Sequence, residues 1–264
     1  GRGPGIIRGV SSPLLLAVET SQAQGSVALA AGGRIVASRG LSAERRHASE
    51  LLPAIAELLR ETGHQPADIG TFAYSAGPGS FTGLRVAATL GQMLQSALGC
   101  GVVAAPTLEV IARNALGYVP ESAAGTFPPA RAPQRVAVIL DARGGRIYAA
   151  MFELRESQVD EIAVLQPAGA FEPAAWFAQL GAPDWVMGEG LRKHGAAVAA
   201  TGAHLLPEQL WTPRAENVAV IGSRLAEAGQ FCRPDQIVPH YIRPPECEEV
   251  YEQRRAEARR RRNE

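Results

Sequence analysis

Ile69-Gly-Thr-Phe-Ala-Tyr-Ser-Ala-Gly-Pro-Gly-Ser-Phe-Thr-Gly-Leu-Arg85 is the stretch whose reading decides the fold. Ile69 to Ala76 has the short, apolar, small-residue character of a buried strand. Gly77, Pro78 and Gly79 then force a turn. Ser80 or Thr82 can cap the helix that follows, which the apolar positions Val86, Leu90, Met93, Leu94 and Ala97 extend to about Leu98. Backbone N–H groups at such a helix start point outward and attract anions. The plainer reading is a capped strand-to-helix turn that positions a packing helix. Gly83, Ala87 and Gly91 follow at intervals of four on one side of that helix, so this face wants a close neighbour. Spacing alone does not say whether the neighbour belongs to this chain.

Working outward, Leu14 to Val18, Gly25 to Ala30 and Arg34 to Ser38 read as three strands joined by hairpin turns, with Gly32-Gly33 in the second. Ser49 to Thr62 carries apolar residues at 51, 52, 55, 58 and 59, the stripe of an amphipathic helix ended by Gly63. Pro53 within it should sit in the first turns or bend the helix. Val102 to Ala105 reads as a strand and Thr107 to Leu116 as a helix. Residues 117–134 are rich in Pro, Ala and Gly and read as a connecting loop. After it the pattern restarts near Arg135. Val136 to Leu140 and Arg146 to Phe152 form a strand pair around Asp141-Ala-Arg-Gly-Gly145, followed by a helix from Pro173 to Leu180. Trp185 to Met187 is a strand stopping at Gly188-Glu189-Gly190, and Asn217 to Ala228 is a helix. This is an α/β chain of two related lobes, residues 14–116 and 135–245. Residues 1–13 read as a leader outside the fold and 246–264 as a charged tail. The helix near 217–229 is able to pack back on the first lobe.

Composition narrows the function. The 264 residues are 46% hydrophobic and 20% charged, as in a globular protein, and the net charge is zero. No global field therefore draws the chain onto nucleic acid or an anionic membrane. Lys193 is the only lysine, and no Gly-Lys pair exists, which excludes a GxxxxGK[ST] phosphate loop. Cys100, Cys232 and Cys247 have neither CxxC spacing nor a zinc-ligand pattern, so a reducing cytoplasm fits. No apolar run is long enough to span a bilayer.

Three places can carry chemistry besides the glycine turn. Glu19-Thr20-Ser21 and Asp141-Ala-Arg-Gly-Gly145 each follow an apolar strand and precede another. In two-lobed ATPases of the actin class, carboxylates on two such hairpins organise magnesium and phosphates. Glu19, Ser21, Asp141, Gly188 and Gly190 are accordingly candidates for a vestigial nucleotide cleft; the alternative for each is a polar strand-end turn. The five histidines, at 47, 64, 194, 204 and 240, include no HxxxH pair, so no metal site is expected. Ser75 and Ser80 have no GxSxG elbow around them. Arg254, Arg255 and Arg259 to Arg262 make a basic tract that can touch nucleic-acid phosphates or pair with Glu248, Glu249, Glu252 and Glu257.

Gly77-Pro-Gly-Ser-Phe-Thr-Gly-Leu-Arg85 resembles the signature of the TsaB (YeaZ) family, with Gly77, Pro78, Gly79, Ser80, Phe81, Thr82, Gly83 and Arg85 as its motif residues. Val18-Glu-Thr-Ser21 with Ser26-Val-Ala-Leu29, His47-Ala-Ser-Glu50 with Leu51-Leu-Pro53, Leu140-Asp-Ala-Arg143 with Arg146-Ile-Tyr148, and Pro239-His-Tyr-Ile-Arg243 are similar to further family stretches in the same order. The resemblance implies a two-lobed actin-like ATPase (ASKHA, ribonuclease H-like) fold, with a mixed sheet flanked by helices in each lobe. It implies a cytoplasmic, non-catalytic subunit without catalytic residues or cofactor of its own. That subunit binds and activates TsaD, which forms N6-threonylcarbamoyladenosine in tRNA. TsaE docks on the pair, tRNA comes through the complex, ATP or ADP can sit at its interface, and the lone chain can homodimerise. The TsaD contact is expected on the two amphipathic helices, through Leu51, Leu52, Ile55, Leu59, Gly83, Val86, Ala87, Leu90, Gly91 and Leu94. An active phosphotransferase of the same fold and a glycoprotease-type peptidase are the alternatives. Glu19, where such hairpins usually carry Asp, and Arg143 in the second hairpin depart from the pattern of active enzymes.

Overall fold

A computed structural model describes residues 13–42, 47–119, 132–142, 144–155, 161–182 and 184–242. The leader before Pro13, Arg143, most of the 117–134 connection and the 246–264 tail with its arginine run lie outside the described residues.

In chain order the strands are β1 (Leu14–Glu19), β2 (Ser26–Ala31), β3 (Arg34–Gly40), β4 (Ile69–Gly77), β5 (Gly101–Pro106), β6 (Arg135–Asp141), β7 (Ile147–Arg155), β8 (Glu161–Phe171), β9 (Asp184–Met187) and β10 (His204–Leu205). The helices are α1 (His47–Glu61), α2 (Phe81–Leu98), α3 (Thr107–Ala112), α4 (Pro173–Phe177), α5 (Leu191–Ala199) and α6 (Ala215–Glu227). The chain divides into two compact units. One comprises the residues up to Ala76 together with Thr82–Val110 and Pro213–Val238; the other comprises Gly77–Phe81, Ile111–Thr212 and the residues from Pro239. Neither is continuous in sequence, and α6 belongs to the first.

Each unit holds one five-stranded mixed sheet flanked by helices, ordered β3-β2-β1-β4-β5 in the first and β8-β7-β6-β9-β10 in the second. The two orders match strand for strand. β1 pairs antiparallel with β2 and parallel with β4, placing Val18 opposite both Val27 and Tyr74. In the second sheet, β6 pairs antiparallel with β7 and parallel with β9, placing Val138 opposite Ala150 and Met187.

Strand side chains alternate between faces, and in the first unit both faces are covered. Leu14, Leu16, Val18, Leu29, Phe72 and Tyr74 pack with Leu51, Ile55, Leu58 and Leu59 of α1 and with Ala87 and Leu90 of α2. Leu15, Ala17, Ala28, Ala30, Ala73 and Val103 face α6 through Ala215, Val218, Ala219 and Ile221. Burial on both sides is why β1 reads as an uninterrupted apolar run rather than an alternating one. Small residues on the second face let α6 come close: a Cβ at Gly222 would lie 2.5 Å from the Ala73 Cβ. In the second unit Ala137, Ile139, Ala149 and Met151 pack against Trp176 and Phe177 of α4 and Leu191 and Val198 of α5.

Several elements differ from the sequence reading. The helix expected over 107–116 stops at Ala112 and tightens into a 3-10 turn at Arg113–Ala115. There the Asn114 side chain donates to Leu210 O and Thr212 O. The helix expected over 173–180 ends at Phe177. β8, β10 and α5 were not expected. β8 contains Pro167 and Gly169, which read as breakers. It is an edge strand with register shifts against β7, where a missing N–H and a bulge cost no central ladder bond.

Candidate functional site

Two polar clusters sit at the strand ends, one in each unit. In the first unit, Glu19 closes β1 and is fully buried, as are Thr20, Ser21 and Ser75. The Ser75 hydroxyl donates to Glu19 Oε2, and Ser21 N donates to Glu19 Oε1 at 2.5 Å. Thr20 Oγ1 donates to Gly83 O at 2.8 Å, tying the hairpin to the first turn of α2. Ser21 Oγ is buried without a hydrogen-bond partner. These bonds offset the cost of taking a carboxylate out of water. Ser75 donates to a carboxylate and not to an imidazole, so it is not part of a Ser–His pair of the kind that activates a serine nucleophile. Thr20 and Ser75 were not among the expected site residues. Their signal was polarity inside an apolar strand and its immediate edge.

In the second unit, Asp141 closes β6, with Lys193 Nζ at 3.7 Å from its Oδ1 and a Glu189 carboxylate oxygen 3.5 Å from its N. Gly188 and Gly190 serve the backbone. Gly190 N donates to Ile139 O at 3.1 Å. Gly188 has a φ of 108°, and a Cβ there would lie 2.4 Å from Ile139 O. The turn thus packs directly on β6, and α5 starts from it. Gly188→Ala combines a disfavoured φ with a collision against backbone. We expect it to destabilise the protein by about 3 kcal/mol in urea unfolding.

The glycine turn runs from β4 through Gly77, with φ at 130° and a cis Gly77–Pro78 peptide, into α2. Ser80 immediately precedes the helix, at the N-cap position. Pro78 is buried, whereas Gly79, Ser80, Phe81, Thr82 and Arg85 are exposed. Within the second unit the Phe81 ring stacks on Tyr241 with centroids 5.3 Å apart. That contact joins two stretches that are distant in sequence.

The two helices carry the clearest correction. Leu51, Ile55, Leu59, Gly83, Ala87, Leu90 and Gly91 are buried in the first unit's own core, and Val86 and Leu94 pack partly against it. The neighbour sought by the small-residue row is intramolecular: a Cβ on Gly91 would meet Phe72 Cε1 at 3.0 Å and Ile237 Cγ2 at 3.2 Å. Of the ten residues expected to contact a partner, Leu52 is the one left largely exposed, at 55%. On α2 the most exposed large apolar residue is Met93, at 58%, with Phe81 and Leu98 exposed to a lesser degree.

The tRNA N6-adenosine threonylcarbamoyltransferase model, TsaD, matches residues 39–234, well over half of the chain. The chain belongs to this family. Among its relatives, the tRNA threonylcarbamoyladenosine biosynthesis protein TsaB of Escherichia coli (strain K12) is 27% identical over 234 residues, covering 87% of this chain and 94% of that protein. The protein of the same name from Bacillus subtilis (strain 168) is 23% identical over 237 residues, 89% of this chain and 96% of the relative. Two solved structures share the fold. One is an uncharacterised Pseudomonas aeruginosa protein with similarity to peptidase YEAZ, with 27% identity and a TM-score of 0.71 over 87% of this chain and 99% of that one. The other is YeaZ from the same organism, with 26% identity and a TM-score of 0.69 over 86% and 99%. Within the TsaD family, the chain's near full-length likeness is thus to TsaB and YeaZ.

The actin-like fold implied by the sequence resemblance raises the question of a magnesium–nucleotide site, and the hairpin residues do not fit one. Glu19 is enclosed and accepts hydrogen bonds from its own unit, and Asp141 already faces an ammonium group. No cluster of three metal-capable side chains occurs among the described residues. The two thiols among the described residues are no better placed for chemistry. Burial pushes Cys100 and Cys232 up, which keeps them protonated and weakly nucleophilic. Burial likewise raises the Tyr74 hydroxyl, which donates to Val238 O at 3.2 Å. No helix among the described residues is long and apolar enough to cross a membrane.

Proposed function

We propose that this chain is a non-catalytic subunit of the machinery that forms N6-threonylcarbamoyladenosine in tRNA, binding and activating TsaD. The place in that pathway follows from the family and from two TsaB relatives matched over nearly their whole length. The observation that carries the non-catalytic role is the state of the hairpin carboxylates. Glu19 is held by Ser75 and Ser21 inside its own unit, and Asp141 is paired with Lys193. A phosphotransferase needs carboxylates presented to a metal-bound phosphate, and a metallopeptidase needs a ligand set such as HxxxH, which the sequence lacks. The chain works in the cytoplasm, TsaE joins the pair, and tRNA is met through the complex. ATP or ADP binds where this chain meets TsaD, and the chain can pair with a second copy when alone.

The TsaD contact is assigned to the outer sides of α1 and α2, with Leu52 and Met93 as its apolar anchors. Exposed large apolar side chains on the faces turned away from a filled core are available to a partner. The purified chain is expected to show no ATP hydrolysis above the background of a buffer blank. Steady hydrolysis that Asp141→Ala abolishes would establish the phosphotransferase reading instead.

A further inference from the structure

The chain's only lysine stands in an unusual place. Lys193 lies in the first turn of α5, where the positive end of the helix dipole disfavours a cation. Its backbone N donates to Gly190 O, and its side chain reaches back to 3.7 Å from Asp141 Oδ1 at the end of β6. Glu189 brings a second carboxylate to the same turn, 3.5 Å from Asp141 N. The three charges come from the strand end, the turn and the helix start, at the point where Gly188 and Gly190 press the turn onto β6. Lys193 is 54% exposed, so packing does not hold it there.

We infer that Lys193 is the resident counter-ion of the second unit's hairpin, occupying with its ammonium group the place a divalent cation would need beside Asp141. The hairpin therefore takes no magnesium or manganese, in contrast to what an actin-like strand-end carboxylate would otherwise invite. An ammonium group satisfies the carboxylate's charge but cannot accept phosphate oxygens into a coordination shell, as Mg²⁺ does. The inference rests on the non-catalytic reading and supplies a physical cause for it within the second unit.

The test is a Mn²⁺ titration of the full chain, followed by loss of the free-ion paramagnetic resonance signal. Wild type and Lys193→Arg should leave the signal unchanged at millimolar metal. Lys193→Met should bind Mn²⁺ about fivefold more tightly than wild type, because the metal no longer has to displace an exposed ion pair to reach Asp141. Adding Asp141→Asn to Lys193→Met should abolish that gain. Saturable binding by wild type that Asp141→Asn removes would overturn the inference. So would a Lys193→Met chain that binds no better than wild type, because the lysine would then not be what keeps the ion out. ATP turnover with an unchanged wild-type titration would sink the non-catalytic reading and leave this one standing. Metal binding by wild type without turnover would do the reverse.

Discussion

Ala87→Arg is expected to unfold the first unit, well beyond any loss of partner binding. Ala87 is 0% exposed and lies in the cluster formed by α1, α2 and one face of the first sheet. An arginine there either buries an unpaired charge or pries α2 off the sheet. Either costs at least about 4 kcal/mol, a large part of the roughly 5–15 kcal/mol that holds a domain together. Circular dichroism melting should show an early transition or no folded baseline, whereas Ala87→Ser should melt close to wild type. A stable Ala87→Arg chain would mean that this face of α2 is not the core face.

The paired change Leu52→Asp with Met93→Asp should have the opposite signature. Both side chains are more than half exposed, so the melting temperature should stay within a few degrees of wild type. Affinity for TsaD should nevertheless fall by about a hundredfold or more, since carboxylates placed in an apolar contact lose its burial and remain unpaired. Calorimetric titration against TsaD from the same organism reads the difference. Undiminished binding would move the interface away from the outer sides of these helices.

These two variants also mark where sequence reading runs out. Apolar periodicity located α1 and α2 to within a few residues, because a buried stripe leaves the same trace whatever buries it. It could not tell a partner from the chain's own sheet. Gly83, Ala87 and Gly91 were correctly read as wanting a close neighbour, yet that neighbour is supplied in part by Phe72 and Ile237, at distant points in sequence. β1 to β5 and the β6–β7 pair were legible because their apolar runs are short and punctuated by turns. β8 was hidden by Pro167 and Gly169, which an edge strand tolerates. α5 was hidden by Gly195 and by a start without a side-chain cap. Glu19 and Asp141 could be picked out as strand-end carboxylates. Their partners Ser75 and Lys193 could not, because side-chain pairing across strands depends on topology that no local pattern contains.

The measurement that tests the central claim most directly is a reconstituted transfer assay with tRNA and threonylcarbamoyl-AMP. It compares this chain alone, TsaD from the same organism alone, and the two together. The account predicts no N6-threonylcarbamoyladenosine from this chain alone and a rate with both proteins well above that of TsaD by itself. Modified tRNA formed by this chain without TsaD, or a TsaD rate that is unchanged when the chain is added, would contradict it.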